Sequence, residues 1–195
     1  MSDQKLIEIQ NWVQGQVSSA RFQHIQGVVK TAEKLAAVHG LPVLKAQLAA
    51  WLHDCAKELS RSKMKVWLVK GRIRLDAQEK QIPALWHPQV GAAIAGKKWG
   101  IKDPAVLEAI QCHTLGKAGM KPLAQLIFIA DFIEPGRNFP GVEPARLRAA
   151  EGLVEGVLTK ASMTIEFLFQ KKMKVHTRLL ETWNYFLSSG KNEKH

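Results

Sequence analysis

From Leu123 to Ile133 the chain runs Leu-Ala-Gln-Leu-Ile-Phe-Ile-Ala-Asp-Phe-Ile, apolar on nearly every side of the helix it would form. A helix without a continuous polar face belongs in an interior, so this segment is expected to be a central helix enclosed by others. The remaining sequence supplies the enclosure. Leu6, Ile9, Val13 and Val17 follow a helical spacing, and Phe22, Ile25, Val28, Val29, Ala32, Leu35 and Ala36 form a second stripe. Ser18-Ser19 can cap that second helix and Gly40 ends it. A third helix starts near Pro42 and turns Leu48, Trp51, Leu52 and Cys55 inward. A shorter one carries Met64, Trp67 and Leu68 among basic residues, and Asp103-Pro104 is a cap and first turn for a helix reaching His113. Strand alternation, repeats and linkers are absent. At 195 residues the expectation is an all-α, single-domain helical bundle spanning 1–195. Its helical C-terminal extension, from about 143, is expected to hold one long helix over Pro144 to Lys171 and a last one over Arg178 to Leu187. A frayed polar tail over 190–195 follows.

Against this apolar pattern a few polar groups stand out. His53-Asp54 lies within Ala49-Ala50-Trp51-Leu52-His53-Asp54-Cys55-Ala56-Lys57, and Asp131 interrupts the central helix. A buried carboxylate needs a charged or metal partner. His24 lies beside the apolar stripe of its helix, His87 at a helix start before Pro88, and His113 at a helix end. Each has a plain structural reading: a satisfied core histidine, a cap, a charge on the helix dipole. Together, four of the seven histidines and two aspartates on separate helices are enough to hold two metal ions, as helical bundles do with facing side chains. Imidazole with carboxylate suits iron, manganese or zinc.

The net charge of +11 is unevenly placed. Six basic residues and no acidic one occur from Arg61 to Arg74, and Lys171, Lys172, Lys174 and Arg178 cluster later. Such surfaces attract phosphorylated metabolites, nucleic acid or acidic headgroups, or are simply solvated faces. Cys55 and Cys112 have neither CxxC spacing nor a disulfide framework around them and read as packing residues. The charged start of the chain and the lack of a spanning apolar run lead to an expectation of a cytoplasmic protein without membrane contact. A homodimer is compatible with the six tryptophans.

The ordered segments Arg21-Phe22-Gln23-His24, Leu52-His53-Asp54-Cys55-Ala56-Lys57, His87 with Gly91-Ala92, His113-Thr114-Leu115-Gly116 with Met120, and Ile129-Ala130-Asp131-Phe132-Ile133-Glu134-Pro135-Gly136-Arg137 resemble the HD-domain metal-dependent phosphohydrolases. Within that superfamily the chain is similar to the YqeK family of symmetrical bis(5'-nucleosyl)-tetraphosphatases. The resemblance implies an HD-type bundle that cleaves diadenosine tetraphosphate to two ADP by attack of a metal-bridging water. It implies one metal on His24, His53, Asp54 and Asp131 and a second on Asp54, His87 and His113, with Asp54 shared. The implied metals are iron, divalent or of mixed valence. Asp54 and Lys57 take catalytic roles, and Arg21, Lys57, Thr114, Gly116 and Arg137 contact substrate. Leu115 departs from the pattern, which has a hydroxyl residue there. Two alternatives remain: an HD phosphohydrolase of another nucleotide, such as a mononucleotide or alarmone, and a non-catalytic nucleic-acid-binding HD protein. The second has little support from the basic run, where Trp67 is the one aromatic available for stacking.

Overall fold

The computed structural model describes residues 3–192, which form eleven α-helices and one short 3-10 turn, with no strand among the described residues. The first three are α1 (Asp3–Gln14), α2 (Ser19–Val38) and α3 (Val43–His53), followed by α4 (Arg61–Lys70) and the short α5 (Ala77–Gln81). A 3-10 turn at Pro83–Leu85 leads into α6 (His87–Lys97), α7 (Pro104–Cys112) and α8 (Pro122–Ile133). The chain closes with α9 (Val142–Glu151), α10 (Leu153–Gln170) and α11 (Thr177–Asn192).

The apolar segment forms α8, and α2, α3, α7, α9 and α10 pack around it. Its residues from Leu123 to Ala130 are all buried, Phe128 completely. The caps read from the sequence form as well. The Ser18 hydroxyl accepts from the Arg21 N–H at the start of α2, and the Asp103 carboxylate accepts from the Ala105 N–H at the start of α7. Cys55 and Cys112 are free and buried.

The C-terminal part differs from expectation. The single helix expected over Pro144 to Lys171 is two, α9 and α10, separated at Gly152, which is extended (φ −176°, ψ 150°). The break folds α10 back so that both helices lie against α8 and against each other. Gly156 permits that approach: a Cβ there would lie 2.7 Å from Ile129 Cδ1 and 3.2 Å from the Ala149 Cα. Apolar residues continue on both sides of Gly152, so periodicity could not locate the break. The last helix is also longer than Arg178 to Leu187. It reaches Asn192, so residues 190–192 of the expected frayed tail are helical, and 193–195 lie outside the described residues. The unanticipated α5 begins with a reciprocal cap, Asp76 accepting from the Glu79 N–H and Glu79 accepting from the Asp76 N–H. No described helix is long and apolar enough to cross a membrane.

Candidate metal centre

Helix ends bring the site together. His53 is the last residue of α3, Asp54 caps it, and His113 caps α7. His87 is the first residue of α6, Asp131 lies in the last turn of α8, and His24 lies in the second turn of α2. All six residues named from the sequence as metal ligands meet in one place. Asp54, His53, His87 and His113 are almost wholly buried, while His24 and Asp131 are partly so.

The centre of the cluster is Asp54, and its two oxygens face different ways. Oδ1 lies 3.2 Å from His87 Nε2 and 3.4 Å from His113 Nε2. Oδ2 lies 3.8 Å from both His24 Nε2 and His53 Nε2. Asp131 Oδ1 approaches His24 Nε2 to 3.2 Å. His53 stands between the two sides, its ring centroid 5.6 Å from that of His24 and 4.9 Å from that of His113. Ligand atoms of His24, His53 and Asp131, and likewise of His53, Asp54 and His113, lie within 4.8 Å of one another, spacing that a shared ion can bridge.

The other ring nitrogens fix these orientations. Nδ1 of His53, His87 and His113 donates to the carbonyl three residues earlier, at Ala50 (2.6 Å), Ala84 (2.7 Å) and Ile110 (2.8 Å). His24 Nδ1 donates instead to Glu134 Oε1 at 3.1 Å. With the proton on Nδ1, each Nε2 presents a lone pair inward, the arrangement by which outer partners orient metal-binding histidines. Burial is the first cause that lowers the pKa of His53, to about 4, despite the opposing pull of Asp54. His87 and His113 are lowered by burial too. Burial alone would raise Asp54 and Asp131, but neighbouring side chains that favour the ionised carboxylate outweigh it and hold both well below the ordinary carboxylate value. For Asp54 these are His53, then His113 and His87; for Asp131, Lys160 and then His24. Neutral imidazoles around ionised carboxylates are the donor set of a divalent transition metal. His24 Nε2, His53 Nε2 and Asp54 Oδ1 are buried without a hydrogen-bond partner in the protein, so the residues present fit such an ion.

Around this set lie the residues named for substrate contact. Arg21 donates from its guanidinium to Asp54 Oδ2 at 2.9 Å. Lys57 Nζ and Thr114 Oγ1 each stand 3.3 Å from His87 Nε2. Arg137 donates twice to Asp131, to the backbone carbonyl and to Oδ1, both at 3.0 Å. Gly116 is placed otherwise. It is buried, takes a left-handed conformation (φ 69°), and a Cβ there would lie 2.5 Å from Thr182 Cγ2 of α11. The structure packs its backbone closely against α11. Leu115 is buried in the core, so the missing hydroxyl leaves no gap at the metal cluster.

Two residues of the site were not assigned from the sequence. Glu134 is buried, orients His24, and accepts from the Gly136 N–H at 2.6 Å. Gly27 makes room for it, since a Cβ there would fall 2.4 Å from Glu134 Oε2. Lys160 of α10 is buried and donates to the carbonyls of His113 (2.9 Å) and Phe128 (2.6 Å) and to Asp131 Oδ2 (3.2 Å). The basic clusters divide. Arg178 is engaged internally, with Asp76 at 2.8 Å and Glu79 at 3.0 Å. The six basic residues from Arg61 to Arg74 are exposed, Trp67 is half-buried beneath Lys70, and the large apolar groups exposed among them are Val66 and Val69.

An all-helical core with imidazoles and carboxylates converging from five helices defines a helical-bundle metal-site protein. The HD-domain profile matches residues 21–136, and the chain belongs to the HD-domain family. It is 35% identical over 178 residues to the symmetrical bis(5'-nucleosyl)-tetraphosphatase of Bacillus subtilis (strain 168), covering 91% of this chain and 95% of that protein. To the protein of the same description from Halalkalibacterium halodurans it is 36% identical, covering 92% and 95%. Its fold is similar to the crystal structure of a predicted HD-superfamily hydrolase involved in NAD metabolism from Clostridium acetobutylicum. That likeness has a TM-score of 0.89 at 35% identity and covers 93% of this chain and 96% of the other.

Proposed function

We propose that the protein is a metal-dependent hydrolase that splits a dinucleoside tetraphosphate, diadenosine tetraphosphate first among them, symmetrically into two ADP. The observation that carries the reading is the divided carboxylate of Asp54. One oxygen turns toward His87 and His113 and the other toward His24 and His53, as a carboxylate shared by two ions requires. One ion would then be held by His24, His53, Asp54 and Asp131 and the other by Asp54, His87 and His113, with iron as first choice and manganese or zinc next. When bound, two such ions supply an activated nucleophile and clamp the phosphoryl oxygens of an in-line displacement.

The chain's own residues do the rest. Nδ1 hydrogen bonds and Glu134 hold the imidazoles in one tautomer and orientation. Lys57, at the His87 end, places an ammonium where negative charge develops as the central P–O–P bridge breaks. Arg21 and Arg137 rim the carboxylates, and their guanidiniums can receive phosphate oxygens in paired hydrogen bonds. Water adds across the central bridge, so each half departs as a nucleoside diphosphate. The relatives described as symmetrical tetraphosphatases support this choice over another nucleotide. Products formed from diadenosine tetraphosphate by iron- or manganese-loaded protein test it, with Asp54→Ala alongside. ADP alone, formed only by the unsubstituted protein, is expected; ATP with AMP, or turnover by the variant, overturns the reading.

A further inference from the structure

A symmetrical dinucleoside substrate carries a nucleoside on each side of the bond that breaks, so the site has to receive two of them. The ligands form a row with two ends. At the His87 end stand Lys57 and Thr114, each 3.3 Å from its Nε2. At the His24 end lies a cavity of about 450 Å³ between α2 and the turn at Glu134–Gly136. Its size is within the range of about 300–1,000 Å³ usual for small-molecule pockets.

The lining of this cavity is suited to a base and its ribose. Gln23, Gln26 and Lys30 lie along one stripe of α2, three and four residues apart, and Pro135 and Gly136 face them. His24 and Glu134 are committed to each other, whereas the side chains of Gln23, Gln26 and Lys30 make no hydrogen bond or ion pair among the described residues. A glutamine amide offers a donor beside an acceptor, the complement of the amino group and ring nitrogen on an adenine edge. The remaining lining residue that opens onto the metal cluster is His24 itself, so a chain of phosphates reaching the ions from the cavity passes that imidazole.

We infer that this cavity receives one nucleoside half of the substrate, with Gln23 and Gln26 reading the base and Lys30 beside the ribose or its phosphate. The inference rests on the reading of a dinucleoside tetraphosphatase given above. Two substitutions at Gln26, which lies on the outer side of α2, test it on the metal-loaded protein with diadenosine tetraphosphate. Gln26→Ala removes the amide and leaves the space, and kcat/KM is expected to fall about fivefold, as for one lost hydrogen bond. Gln26→Trp fills the space, and a fall of about a hundredfold is expected because the nucleoside can no longer be positioned. Metal content and the thermal unfolding midpoint should be unchanged in both. Unchanged kcat/KM, equal effects of the two substitutions, or a fall that tracks loss of metal overturns the nucleoside pocket. Absence of ADP from the unsubstituted protein overturns the functional reading itself and is seen before any variant is compared.

Discussion

Acid should unfold the metal-free protein through its own ligands, and His53 sets the scale. Burial lowers its pKa from the usual 6.5 to about 4 in the folded chain, while the unfolded chain keeps the ordinary value. Between those values the unfolded state takes up a proton that the folded state refuses. The stabilising contribution of neutral His53 is therefore complete above pH 6.5 and is lost as pH falls toward 4. At about 1.4 kcal/mol for each pKa unit, the loss from this one residue is about 3 kcal/mol. His87 and His113 are shifted in the same direction by burial and add to it. A domain with a margin of about 5–15 kcal/mol gives up a large share of it over that range. The assay is urea unfolding followed by helical circular dichroism, with chelator present, at intervals from pH 7.5 to 4. His53→Gln, which cannot titrate, provides the comparison. The stability curve of the unsubstituted protein should descend more steeply, and the two curves should converge by about 3 kcal/mol. Parallel curves would show that His53 is accessible or already charged in the folded chain and would refute the argument.

Further outcomes follow from the same contacts. Lys160→Met removes the ammonium between Asp131 and two carbonyls, so the metal-free variant should lose about 3–5 kcal/mol in chemical denaturation, as when one member of a buried pair is removed. Added manganese should raise its melting temperature more than that of the unsubstituted protein, because the ion supplies the missing charge. Gly27→Ala should push Glu134 away from His24 and weaken metal binding by about 10–100-fold, read by titration with metal analysis, while the helix content stays the same. Asp54→Asn should deplete both ions, whereas His87→Ala should deplete one, a difference visible in equivalents of metal per chain.

Much of the fold was legible because the constraint was severe. A segment as apolar as Leu123–Ile133 has no orientation in which a surface position is favourable, so enclosure by other helices followed from composition alone. Caps at Ser18 and Asp103 were legible because they act on N–H groups two or three residues away. The break at Gly152 was not, because it is decided by where α9 and α10 each meet α8. The same distinction separates Leu115 and Gly116 from their neighbour Thr114. The sequence places all three beside a ligand, but only packing against α11 decides that Gly116 meets Thr182 and that Leu115 turns into the core.

In the site, the residues proposed to hold the ions were recognisable and those that support them were not, and the reason is chemical. Histidine and aspartate amid apolar residues are anomalies at the level of sequence, since each needs a partner that its own segment lacks. Lys160 is no such anomaly. Lysines are ordinary on a helix such as α10, and the only sign of its burial is that it shares a face with Val157, Ala161 and Gly156. Glu134 likewise follows the end of α8, where a charged residue ordinarily meets solvent. Both become necessary only once the fold has buried Asp131 and His24, because each then needs an opposite or accepting group that water no longer provides. Lys160 also comes from α10, beyond the matched segment 21–136, so the C-terminal helices contribute charge to the metal centre as well as packing to α8. A chain ended after Arg137 would keep all six ligands and lose the ammonium beside one of them. Such a truncated chain should therefore gain more in melting temperature from added manganese than the full one where its remaining helices stay folded, as Lys160→Met does, and thermal melts of the two forms with and without manganese decide it.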